Sequence, residues 1–158
     1  MTPTRQPTHD VIEGPDDLRS PEEIVTNFLN AMQDGDVETV IALAAEDIVY
    51  TNVSLPTIRG KDRFGRAARA YYRHHLEFQV VIHRIAGSGS SVLTERTDAL
   101  ILGPYRMQFW VCGVFEVEDG QVTLWRDYFD WRNTTLAALR GVVGVFIPSL
   151  RRTFSDVR

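Results

Sequence analysis

The chain has 158 residues, 44% of them hydrophobic and 24% charged, which is ordinary globular usage and excludes a disordered or low-complexity chain. A length of that order fits one domain with its own core. The formal net charge is -4, with 17 basic against 21 acidic residues, so there is no basic surplus of the kind nucleic acid requires.

Residues 1–19, MTPTRQPTHDVIEGPDDLR, are polar, contain three prolines and lack the apolar core of a secretory signal, so they predict a loose tail on a cytoplasmic protein. Ser20-Pro21-Glu22-Glu23 is a helix start: a capping hydroxyl, proline at the first helical position, and carboxylates where the helix dipole favours them. Ile24, Phe28, Leu29 and Met32 then recur at helical spacing. Gly35 marks a turn, and Val37, Val40, Ile41 and Leu43 a second short helix. Residues 48–53 (IVYTNV) predict a strand and residues 61–74 a third helix.

Beyond residue 77 the composition shifts to β-branched and aromatic residues. Residues 78–85, 91–102, 107–117 and 121–130 predict four strands, separated at Gly87-Ser88-Gly89, Gly103-Pro104 and Glu118-Asp119-Gly120. Residues 134–150 predict a last, apolar helix ended by Pro148, within a C-terminal segment of 134–158. No apolar run approaches the ~20 residues that span a bilayer. Helices first and an antiparallel meander afterwards predict an α+β domain with helices on one face of a sheet.

Within a strand, residues i and i+2 share a face. Three pairs carry chemistry at that spacing: Tyr50 and Asn52, Arg96 and Asp98, Trp125 and Asp127. Taken singly, each has a plainer explanation: a surface ion pair for Arg96/Asp98, a turn cap for Asp127, packing for Tyr50. Together, with Thr94, Leu100 and Leu102 sharing the Arg96/Asp98 face and Phe129 the Asp127 face, they predict a polar set inside a cavity, because a buried charged triad is costly without a function. The single Cys112 excludes an intramolecular disulfide and a thiolate-rich metal site, and its neighbours Trp110, Val111 and Val114 predict a buried, inert thiol. His74 and His75 are adjacent on a helix and share no face, and no histidine shows metal-ligand spacing, so no metal and no cofactor are expected. There is no Gly-x-Ser-x-Gly elbow for a serine nucleophile.

Thr94-Glu95-Arg96-Thr97-Asp98, then Gly113-Val114-Phe115, Gly120 and Trp125-Arg126-Asp127-Tyr128-Phe129-Asp130, with Tyr50-x-Asn52 upstream, resembles the limonene-1,2-epoxide hydrolase family, and its mycobacterial branch in particular. The resemblance covers residues 21–130. It implies a cone, a highly curved sheet with helices closing its mouth, as in ketosteroid isomerases and nuclear-transport-factor-like proteins, over residues 20–133. It also implies that Asp127 is a base sharing a water with Tyr50 and Asn52, that Asp98 is the acid, and that Arg96 bridges the two. Trp125, Leu100, Leu102 and Phe129 are expected around them, with further apolar wall from Leu55, Phe109 and Val114. The implied substrates are a small lipophilic epoxide and water. A ketosteroid-isomerase-like proton shuttle and a non-catalytic carrier of apolar ligands are the alternatives on the same cone. A homodimer is expected from the resemblance and from an outer face carrying Phe115 and Tyr128, with Arg126 and Asp130 in a surface or dimer pair. The last helix is expected to cover the pocket mouth or the dimer seam. Membrane contact by that helix, flanked by Arg140, Arg151 and Arg152, is the lesser alternative.

Overall fold

The computed structural model describes residues 19–150 and 153–154. The expected N-terminal tail, apart from its last residue, lies outside the described residues, as do Arg151 and Arg152. Four helices and six strands follow in the order α1 (Pro21–Asp34), α2 (Val37–Ala42), β1 (Ala44–Asn52), β2 (Ile58–Arg59), α3 (Lys61–Arg73), β3 (Glu77–Ser88), β4 (Ser91–Leu102), β5 (Tyr105–Glu118), β6 (Gln121–Phe129) and α4 (Trp131–Phe146), with a 3₁₀ turn at Pro148–Leu150.

Local chemistry accounts for the boundaries. Ser20 and Glu23 form a reciprocal capping box, and Gly35 ends α1 in the left-handed conformation. Asp119 and Gly120 both have positive φ, the mirror-image turn that matches strand twist, so β5 reverses tightly into β6. The β3–β4 reversal falls later than the sequence predicts. Gly87 and Ser88 still pair with Val92 and Ser91, and the turn is made by Gly89 and Ser90.

The sheet order is β2-β1-β6-β5-β4-β3. Strands β3 to β6 form the expected antiparallel meander, while β1 joins the far side of β6 in parallel, which makes the sheet mixed. Bulges interrupt the register between Ala44 and Val49, Ile82 and Arg84, and Glu116 and Val117. Each extra residue bends its strand, so the sheet curls around the helices. The main core lies in that curl, where Ile24, Val25, Phe28 and Leu29 of α1 meet Phe64, Val92, Phe115, Val122 and Trp125.

Helix α4 begins at Trp131, three residues before the expected start, because Asp130 accepts the N–H groups of Arg132 and Asn133. Ala137 packs with Phe109 and Val111 in a second apolar cluster, flanked by Leu100, Met107 and Phe129. Among the described residues no helix is long and apolar enough to cross a membrane.

Candidate active site

Strand order brings the three polar pairs together. Asn52 of β1 is the register partner of Asp127 on β6, and Tyr50 that of Trp125. Asp127 is the partner of Gly113 on β5, which is in turn the partner of Thr94 on β4. Residues paired across a sheet share a face, so Thr94, Arg96 and Asp98 face the same concave side as Asp127.

Arg96 is 0% exposed, Asp127 2% and Asp98 3%. Arg96 Nε donates to both oxygens of Asp98, at 3.0 and 3.1 Å, and Nη2 donates to Asp127 Oδ2 at 2.6 Å. Nη1 donates to Thr94 Oγ1 at 3.1 Å, and the guanidinium carbon stands 5.8 Å from the Phe115 ring centre. One cation thus holds two carboxyl groups apart in fixed orientations. Asn52 Nδ2 donates to the Tyr50 hydroxyl at 2.7 Å. Asp127 Oδ1 and Trp125 Nε1 are buried and have no hydrogen-bond partner in the protein. The indole N–H favours the ionised form of Asp127, although the two do not meet hydrogen-bond geometry.

Burial dominates the protonation of the pair, since a carboxylate loses its hydration and a single guanidinium can balance only one negative charge. Asp98 is pushed up to about 6 by burial, against the pull of Arg96 and with a further push from Asp127. Burial also raises Asp127, with Arg96 and Trp125 opposing. Arg96 is held above its ordinary value, because Asp127 and Asp98 outweigh the burial that works against its charge. Tyr50 is raised by burial and by the Asp127 charge, so its hydroxyl stays protonated. The arrangement can hold one proton on a carboxylic acid and leave a carboxylate opposite it. That is the pairing acid/base chemistry needs.

These groups open into a cavity of about 430 Å³. Tyr50, Asn52, Asp98 and Asp127 form part of its wall, and Met32, Leu55, Phe64, Leu100, Phe109, Trp125, Phe129 and Trp131 make most of the rest apolar. Trp125 is also wedged into an aromatic cluster, 4.3 Å from the Tyr50 ring, 5.4 Å from Phe28 and 6.0 Å from Phe115.

Several expectations are corrected. Leu102 has the right strand parity but sits beside the β4–β5 turn, past the cavity rim, and is 47% exposed. Val114 pairs with Leu93 and Arg126 on the outer face and does not line the cavity. Cys112, on that same face, is half-buried. Phe115 was expected outside; its register partners Val92 and Trp125 carry it inward, beneath Arg96. Tyr128 does face outward. Asp130 caps α4, and no ion pair joins it to Arg126 among the described residues. Sequence reasoning gave Thr94 no role beyond a shared face and missed Tyr71 and Trp131 as cavity walls. A glycine inside a strand, Gly113, was the available signal for a close approach at this site.

The family model for the limonene-1,2-epoxide hydrolase catalytic domain matches residues 19–140. The chain is 53% identical over 129 residues to epoxide hydrolase EphG of Mycobacterium tuberculosis, an alignment covering 82% of this chain and 86% of that protein. The solved structure of an M. tuberculosis epoxide hydrolase of this type superposes with a TM-score of 0.81 at 51% identity, covering 84% of this chain and 94% of the other. An NTF2-like protein of unknown function from Burkholderia pseudomallei, 20% identical, superposes at 0.63 over 74% of this chain and 99% of its own, a likeness of fold alone. The curved mixed sheet with its helices is the cone of that fold, and the chain belongs to the limonene-1,2-epoxide hydrolase family of enzymes.

Proposed function

We propose that this protein adds water to a lipophilic epoxide, giving a vicinal diol in one step. The observation that carries this reading is Arg96 bridging Asp98 and Asp127 within an apolar cavity. Ring opening by water makes two demands at once: the attacking oxygen must lose a proton and the departing oxygen must gain one. In the proposed step Asp127 takes a proton from a water oriented by Tyr50 and Asn52. The water oxygen bonds to a ring carbon as its C–O bond breaks, and Asp98 gives its proton to the epoxide oxygen. The site is left with Asp127 protonated and Asp98 ionised, so net return of one proton to Asp98 restores it.

Arg96 holds both groups in place, and its charge offsets whichever carboxylate is ionised. The apolar wall suits a substrate whose one polar atom is the epoxide oxygen. Terpene, fatty-acid and sterol epoxides form the panel to screen. We further propose a homodimer, with the outer face around Trp110 and Tyr128 as the seam, both of which expose much of their rings.

The test is turnover of that panel by the wild-type protein and by Asp98→Asn and Asp127→Asn. Each substitution preserves shape and removes a transferable proton or its acceptor. Each is expected to lower kcat by about 10²–10⁴-fold with unchanged circular dichroism. Near-normal turnover by either folded variant removes that aspartate from the mechanism.

A further inference from the structure

Gly113 stands between Thr94 and Asp127 across the sheet, as the partner of both. A Cβ at Gly113 would lie 2.1 Å from Arg96 Nη1, 2.7 Å from Thr94 Oγ1 and 3.0 Å from Asp127 Oδ1. The guanidinium therefore leaves β4 and reaches β6 by passing over a β5 residue that has no side chain. That passage is possible only above glycine, but the gap alone does not set the rotation of the guanidinium within it.

Three nitrogens carry the N–H donors of arginine, and each has a partner here. Nε is taken by Asp98 and Nη2 by Asp127, which leaves Nη1 to the Thr94 hydroxyl at 3.1 Å. Arginine only donates, so the hydroxyl accepts, and its own proton is directed to the Gly113 carbonyl oxygen at 3.5 Å. Thr94 is fully buried beside Arg96. A planar fork held at three points cannot rock, whereas one held at two can turn about the line joining them.

We propose that Thr94 is a positioning residue for this enzyme: its hydroxyl, seated on the Gly113 carbonyl, fixes the rotation of the Arg96 guanidinium so that Nε and Nη2 reach Asp98 and Asp127 together. The proposal rests on the acid/base reading above. Without the hydroxyl, Nη1 becomes a buried donor with no acceptor, and the guanidinium turns to recover one at the expense of its carboxylate bonds. The ionisable groups that face the two carboxyls are Arg96, Tyr50 from β1 and Tyr71 from α3. Helix α4 brings only Trp131 and Thr134 to the cavity, and neither ionises there.

The experiment is steady-state kinetics against pH for Thr94→Val, which keeps shape and removes the hydroxyl, and for Thr94→Ser, which restores it. The substrate is whichever member of the epoxide panel the wild type turns over fastest. Thr94→Val is expected to lower kcat about tenfold, with KM within about twofold, corresponding to about 1.4 kcal/mol in the barrier. Arg96 lowers the pKa of both carboxyls, so a weaker grip moves the pH profile to higher pH. Thr94→Ser is expected to recover both the rate and the profile. A wild-type kcat and profile in Thr94→Val overturns the proposal. So does a rate loss with an unmoved profile that serine does not repair, since that is a packing effect. If the valine variant does not fold, Thr94→Cys, with a sulfur that accepts only weakly, is held to the same outcomes. Asp98→Asn and Asp127→Asn measured alongside separate the two readings. Inactive aspartate variants with a normal Thr94→Val sink this proposal alone, and active aspartate variants sink both.

Discussion

Burial makes Asp98 and Asp127 the groups through which pH acts on the proposed site. The Asp98 carboxyl is raised to about 6 by burial, and the adjoining Asp127 is raised as well, so the proposed mechanism requires the pair to hold one proton. kcat/KM should therefore fall as pH rises above about 6, approaching tenfold per unit as the pair loses its proton, and should fall again in acid once both carboxyls are protonated. Folding stability follows from the same shift. The folded chain keeps a proton that the unfolded chain releases near its ordinary value of 3.8, so stability is lost as pH rises through the interval from there to about 6. Asp98→Asn removes that dependence and is expected to be more stable than wild type at pH 8, by on the order of 1–3 kcal/mol, with little difference at pH 4. Urea unfolding at the two pH values checks it, and equal stability at pH 8 would contradict the burial of an ionised Asp98. At this scale the sequence was informative because Arg96-x-Asp98 and Trp125-x-Asp127 obey strand parity and sit among apolar neighbours. Thr94 was not legible as a partner of Arg96, because that contact depends on which residue of β5 lies between β4 and β6.

At the scale of elements, helix boundaries and strand identities were written locally: the Ser20 capping box, the left-handed Gly35 and the Asp119-Gly120 turn each depend on a few adjacent residues. What depended on register was not. Phe115 and Val114 were assigned to the wrong faces, since an isolated strand carries parity but no direction. The parallel seating of β1 against β6, which puts Asn52 beside Asp127, joins residues 75 positions apart and has no local signature. Helix α4 shows the same division. Its apolar stripe was visible, but its seat depends on Gly141, where a Cβ would come within 2.7 Å of both the Arg106 carbonyl oxygen and the Tyr105 ring. Gly141→Val should lever the helix from β5, costing about 1–3 kcal/mol of stability. Trp131 and Thr134 at its start line the cavity, so KM should rise several-fold with kcat little changed. Kinetics and thermal unfolding of this one variant decide whether α4 shapes the cavity, and an unaltered KM in a destabilised protein would show that it does not.

The whole molecule places one polar triad deep inside a cone whose outer sheet face leaves Leu93, Trp110 and Tyr128 substantially exposed. Burying that face against a second copy gives the proposed homodimer, and sedimentation at micromolar concentration should show twice the monomer mass; a monomer alone would contradict it. Every side chain invoked in the proposed reaction comes from β1, β4 or β6 of one chain. In the proposed reaction water attacks the epoxide directly. A nucleophilic carboxylate would form an ester needing a second base for its hydrolysis. Asp127 Oδ2 is already engaged by Arg96, and Asn52, hydrogen-bonded to the Tyr50 hydroxyl, is the register partner of Asp127, which supports the proposed water site. The decisive measurement is a single turnover in oxygen-18 water with enzyme in excess over epoxide. Direct attack predicts one oxygen-18 atom in the diol of that first turnover and none in the protein, whereas an unlabelled first diol with oxygen-18 in a peptide containing Asp98 or Asp127 would contradict it.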